Sequence, residues 1–264
     1  MQRDTEIEDL AEFVAEAYSD GDQVEPTEIA KNCGMTFSFG RYANCFDGYL
    51  ECRQHKFHVY IDLDSSGSAD SPRARFSFAH ELGHYFLDWH RCALELGAPS
   101  HGSRADFNSP GIVEREADAF AANLLLPESR IKKAAAKSID AREIRKLAGR
   151  FGTSLSATAM RCARLSLAPL IVMRWYEGRR AWCWSSAGYE SRTGNRGFRQ
   201  LEQIPQDSVT RETLSGAVDL PSRGTTLATW FPKVRVGSYE DDLLVEECLS
   251  LGRYGALTLL RPAW

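Results

Sequence analysis

With 264 residues, 43% of them hydrophobic and 26% charged, the chain can bury the core of one large or two modest domains, which excludes disorder over most of its length. A net charge of -4 excludes a protein built throughout to coat nucleic acid. No apolar run approaches the ~20 residues of a membrane span, and the acidic start Met1-Gln2-Arg3-Asp4 carries no apolar signal core. The seven cysteines form no C-x-x-C pair, so they read as scattered free thiols of a cytoplasmic protein.

Charge is unevenly spread. Residues 1–30 hold ten acids and one base, whereas residues 128–165 hold ten bases and three acids. Such asymmetry fits either solvated helix faces or two partners of opposite sign.

In chain order, Ile7, Leu10, Ala11, Val14, Ala17 and Tyr18 recur at helical spacing and predict an amphipathic first helix. Pro26 opens a shorter helix that Gly34 terminates. Phe57, Val59, Ile61 and Leu63 then alternate with polar neighbours as a half-buried strand, with Tyr49–Arg53 its hairpin partner across Gln54-His55-Lys56. After a polar loop from Asp64, Ser71 and Pro72 supply an N-cap and a first-turn proline for a helix reaching about Trp89. Roughly twenty loop-like residues follow, from Arg91 to Pro110, a length usual for functional or mobile loops. Further helices are expected at Ile112–Leu126, Ala141–Phe151 and Leu155–Leu165, the last two separated by Gly152-Thr153-Ser154. Beyond Pro169 the pattern is β-like: Leu170–Trp175, a Glu177-Gly178 turn, Ala181–Ser185, Leu227–Trp230, Leu243–Leu249 and Ala256–Leu260.

The chemistry concentrates in His80-Glu81-Leu82-Gly83-His84, an H-E-x-x-H pattern on the helix already expected there. Residues four apart differ by about 40° around a helix, so His80 and His84 share a face and can clamp one ion. Glu81 is rotated by about 100°, near enough to reach a water on that ion without binding it. His90 has the numerical spacing of a third histidine, but Leu87 stands where that motif needs glycine. On an unbroken helix it lies about 15 Å along the axis from His80, and it reads better as a C-terminal histidine favouring the helix dipole. Glu114 and Asp118, four apart on the next helix, offer a third ligand and a carboxylate to hold a ligand histidine by its second nitrogen. Glu116 is the competing ligand, rotated about 200° from Glu114; the loser of the two is expected to be a surface carboxylate. Tyr85, His101 and Arg115 are the open alternatives for an oxyanion donor.

The string Phe78–His84, followed by Glu114-Arg115-Glu116-Ala117-Asp118-Ala119-Phe120-Ala121-Ala122-Asn123-Leu124-Leu125-Leu126-Pro127, resembles the ImmA/IrrE family of zinc metallopeptidases over about residues 1–168. Family members often carry Asn where Asp118 stands. The resemblance implies an α+β protein. It implies a minimal zincin-like metallopeptidase domain over 1–127, a helix-turn-helix-like segment over 128–168, and a β-rich, GAF-like sensor domain over 169–264. It also implies one zinc ion per chain, manganese being the alternative, held by His80, His84 and Glu114 with Glu81 as general base and Asp118 behind the site. The implied function is cleavage of a helix-turn-helix transcriptional repressor that controls a stress-response or mobile-element regulon. The alternative is a non-proteolytic zinc regulator that binds a repressor or DNA. Direct DNA contact by the basic helices is the less favoured use, Trp175, Trp182, Trp184 and Trp230 are candidates for a ligand pocket, and Cys92 reads as an inert thiol.

Overall fold

The computed structural model describes residues 2–98, 102–103, 111–193, 203–217, 222–232 and 243–263. His101 lies outside them. The chain divides into two compact units, Met1–Lys133 with Gly149–Ser154, and Ala134–Ala148 with Leu155–Trp264. The class is α+β.

The first unit begins with α1 (Gln2–Tyr18) and α2 (Pro26–Asn32). Ile7, Ala11, Val14 and Ala15 of α1 are buried while most of its acids face solvent, the division expected of an amphipathic helix. Gly34, at φ 72°, lies just beyond α2, where the left-handed backbone favours glycine. Three strands follow: β1 (Thr36–Gly40), β2 (Gly48–Arg53) and β3 (Lys56–Asp62), in the order β1-β3-β2. The β2–β3 hairpin is antiparallel, and its turn residues Gln54 and His55 both have positive φ, 51° and 61°, as a type I′ turn requires. β1 runs parallel to β3 and was not anticipated. Leu50, Val59 and Ile61 join Phe78 and Leu82 in one core, so the sheet lies against the helix that carries the H-E-x-x-H motif.

That helix is α4 (Pro72–Phe86), started as expected by Ser71, whose Oγ accepts from Ala74 N at 3.1 Å. It ends three residues earlier than the expected Trp89. Leu87 is extended (φ -74°, ψ 105°) and fully buried, and a new helix, α5 (Asp88–Glu95), starts behind it with Asp88 in its first turn. Leaving the helical path sinks Leu87 into the core and puts a carboxylate at a helix N-terminus, where the dipole favours it. The same break makes Arg91–Glu95 helical where a loop was expected, and most of the rest of that expected loop lies outside the described residues. A short α3 (Leu63–Ser66) occupies part of the polar segment before α4. α6 (Ile112–Leu125) crosses close to α4, and α7 (Glu128–Ala134) follows Pro127. α8 (Ala141–Phe151) gives residues to both units, and α9 (Leu155–Arg164) belongs to the second.

In the second unit, β4 (Ile171–Tyr176) and β5 (Arg179–Ser185) form a hairpin around Glu177 and Gly178, at φ 49° and 71°. With β6 (Arg223–Thr226), β7 (Leu243–Ser250) and β8 (Ala256–Pro262) they build an antiparallel sheet of order β5-β4-β8-β7-β6. α10 (Ala187–Thr193) and α11 (Val209–Leu214) accompany it. Leu227–Trp230, expected as a strand, is instead a one-turn helix, α12, because Thr226 Oγ1 caps it by accepting from Thr229 N at 3.1 Å. Trp175 and Trp230 fill the core with ring centroids 6.2 Å apart, whereas Trp184 is exposed. Gly255 is demanded by its site: at φ 94°, a Cβ there would stand 1.9 Å from Trp175 O.

Candidate metal centre

α4 and α6 bring the site together. Gly83, inside the motif, allows their close approach, since a Cβ at that position would lie 3.1 Å from Ala117 Cα. One turn of α4 separates His80 from His84, and their Nε2 atoms stand 3.1 Å apart. Glu114 of α6 completes the group, with Oε2 3.2 Å from His80 Nε2 and Oε1 3.4 Å from His84 Nε2. Donors each ~2.0–2.1 Å from a tetrahedral zinc lie about 3.3 Å from one another, so the three side chains are spaced as zinc ligands are. The three were the expected set, and among the described residues they form the one group of this kind.

The chemistry of the donors fits a cation as well. Two imidazole nitrogens and a carboxylate are turned toward a single buried point, an arrangement that only positive charge reconciles. Burial works against the His80 imidazolium. Its hydrogen bonds to Asp118 and Glu114, with the negative charges of Glu81 and Asp118, outweigh that burial and raise its pKa to about 10. His80 Nδ1 lies 2.9 Å from Asp118 Oδ1; when Nδ1 carries the proton and donates it there, Nε2 keeps a lone pair for the ion. Asp118 Oδ2 has no hydrogen-bond partner among the described residues.

Glu81 is 1% exposed. Ser103 Oγ donates to its Oε1, and Gly48 sits so close that a Cβ there would be 2.6 Å from the same oxygen. Ser103 reaches this point by pairing with the edge of β2: Ser103 N donates to Gly48 O at 2.9 Å, and Asp47 N donates to Ser103 O at 2.8 Å. Neither Gly48 nor Ser103 was foreseen.

Two expectations are corrected. His90 does not end a helix. The break at Leu87 places it in the first turn of α5, buried, with Nδ1 3.1 Å from His84 Nδ1 and Nε2 3.1 Å from Glu116 Oε2. Burial, and then its electrostatic interaction with the neighbouring His84 ring, lower its pKa to about 4, so the His90 ring is neutral. Glu116 is not a surface carboxylate either. It is 6% exposed and receives Trp89 Nε1 at 2.8 Å and Arg3 Nε at 2.9 Å as well as His90. Of the candidate oxyanion donors, Tyr85 packs edge-on against Phe57 and Phe86 beneath Arg91, and Arg115 lies exposed on α6.

A histidine pair with a buried carboxylate beside it on one helix, and a second helix bringing a further carboxylate up to both rings, is the arrangement of a zincin-like site. Residues 65–163, which hold every one of these α4 and α6 side chains, match the model of the IrrE N-terminal-like domain of peptidase family M78. A solved structure described as a Mycobacterium tuberculosis transcriptional regulator shares the fold with TM-score 0.55 at 14% identity, over 98% of this chain and 76% of that one. No curated protein sequence matches the chain. No helix among the described residues is long and apolar enough to cross a membrane.

Proposed function

We propose that the chain is a cytoplasmic zinc-dependent endopeptidase that cleaves one specific protein, a helix-turn-helix transcriptional repressor, and so switches on a stress-response or mobile-element regulon. The observation that carries this reading is the convergence of His80 Nε2, His84 Nε2 and the Glu114 carboxylate on one buried point, with Glu81 one residue from His80. The family supports the peptidase class, and a structural neighbour described as a transcriptional regulator is compatible with a regulatory setting. In this reading residues 1–127 are catalytic, 128–168 are the helix-turn-helix-like segment and 169–264 are a GAF-like sensor.

His80, His84 and Glu114 would hold zinc, or manganese in its place. When bound, the ion supplies a Lewis acid that brings a ligated water's pKa near 7 and polarises a peptide carbonyl. Asp118 fixes the His80 tautomer. Ser103 anchors Glu81 by one carboxyl oxygen, leaving the other to take the water's proton and deliver it to the leaving amine. The proton thus passes through Glu81 from nucleophile to product, and the carboxylate is regenerated.

Incubation of the zinc-loaded chain with a repressor encoded beside it tests the proposal. The native chain is expected to cut the repressor at one bond, and Glu81→Gln to lose that cleavage while retaining zinc. Cleavage at full rate by Glu81→Gln overturns the mechanism. One observation favours a second reading: Glu81 is covered by Ser103 and Gly48, as suits a regulator that binds its repressor without cutting it. That regulator would relieve repression equally well as Glu81→Gln.

A further inference from the structure

The two histidines of the motif are held from behind by different devices. Behind His80 stands a carboxylate, Asp118. Behind His84 stands another imidazole, His90, with Nδ1 facing Nδ1 at 3.1 Å, and behind that the Glu116 carboxylate, 3.1 Å from His90 Nε2. His84, His90 and Glu116 are all nine-tenths or more buried, so water does not substitute for these contacts.

The protons in this chain of contacts follow from valence alone. An ionised carboxylate only accepts, so His90 Nε2 must carry a proton and donate it to Glu116. His90 Nδ1 then has a lone pair and accepts from His84 Nδ1, which must carry the proton. His84 Nε2 is left with its lone pair, facing His80 Nε2 and Glu114. Reversing either imidazole sets two N–H groups or two lone pairs against each other at 3.1 Å. The carboxylate at the far end is itself pinned: Trp89 Nε1 donates to Oε2, Arg3 Nε to Oε1, and the Arg3 guanidinium lies 4.5 Å over the Trp89 ring.

We propose that His90 and Glu116 are positioning residues that set the tautomer and orientation of His84 through a Glu116–His90–His84 relay. This assignment rests on the reading of His80, His84 and Glu114 as the metal-binding set. It also explains why His90, despite its spacing, is no ligand: both of its ring nitrogens are committed, one to His84 and one to Glu116. The break at Leu87 is what delivers it there.

The test compares zinc affinity of the full chain and three variants, by competition with a chromophoric chelator, with folding of each metal-free protein checked by circular dichroism. His90→Phe keeps a flat ring but offers no acceptor, and is expected to weaken zinc binding ~10–100-fold, as loss of such a supporting group does. His90→Asn places its side-chain oxygen near the former Nδ1 and is expected to restore most of the affinity. Long-range ¹H–¹⁵N spectra of the native zinc-loaded chain are expected to show protons on His84 Nδ1 and His90 Nε2. Native-like affinity in His90→Phe, equal weakness in His90→Asn, or a proton on His90 Nδ1 overturns the relay. Failure of the native chain to bind zinc more tightly than His84→Ala instead overturns the metal site on which it rests.

Discussion

Gly48 has no room for a side chain, because any Cβ would press on Glu81 Oε1. Gly48→Ala is therefore expected to displace the carboxylate and cut the rate of repressor cleavage by at least ~10²-fold, the low end of what a general base contributes, while zinc titration stays native. An unchanged rate would mean that Glu81 is not placed by this contact. Asp118→Ala should weaken zinc binding ~10–100-fold by freeing the His80 ring; Asp118→Asn, which keeps an oxygen for His80 Nδ1, should lose less. Chelator competition measures both. His80 with His84 and Glu114 with Asp118 were legible in the sequence because helical spacing puts each pair on one face, and Glu81 because it stands about 100° around from His80. Ser103, Gly48 and His90 were not. The first two meet Glu81 only through a sheet edge, and the last depends on a helix break that no Gly or Pro announces.

At the scale of elements, the site exists because α4 and α6 touch. Gly83 faces Ala117 and Phe120 across the contact, where a Cβ would meet Ala117 O at 3.2 Å and Phe120 Cβ at 3.3 Å. Gly83→Leu is expected to force the helices apart, destabilising the fold by ~1–3 kcal/mol as overpacking does and separating Glu114 from the histidines. A urea melt and a zinc titration should move together; a destabilised protein with native zinc affinity would show that the helix contact does not set the ligand geometry. The helices were readable because their apolar stripes and caps are local signals. β1 escaped although Phe37 and Phe39 alternate with Ser38, since a five-residue parallel strand needs β3, twenty residues away, to define it. At α12 a threonine cap outweighed the β-like composition of Leu227–Trp230.

For the whole molecule, charged side chains of the acidic start and of the basic region beyond residue 128 tie the two stretches together inside the first unit, mostly through backbone groups and once as an ion pair. Glu12 accepts from Glu128 N at 2.8 Å and Ser129 N at 3.0 Å, at the start of α7. Arg130 binds the Ala15 and Ser19 carbonyls at 2.7 and 2.5 Å, and Arg150 pairs with Asp22 at 2.6 Å. Sequence counting saw the imbalance but not the pairing, which spans more than a hundred residues. The thiols offer a separate test of the fold. Cys45 and Cys92 are exposed, whereas burial pushes Cys162 and Cys183 up to about 12. At pH 8 the buried Cys162 stays protonated and shielded, so iodoacetamide should label Cys45 and Cys92 quickly and spare Cys162 until denaturant is added, as peptide mass mapping would reveal. Fast native labelling of Cys162 would contradict the packing around α9.

X-ray absorption of the zinc-loaded chain examines the coordination directly. Two imidazole nitrogens at ~2.0–2.1 Å with oxygen completing the shell, and loss of one imidazole in His80→Ala, is the outcome predicted for the His80, His84 and Glu114 set. A sulfur scatterer near ~2.3 Å, or an identical shell in His80→Ala, would contradict it.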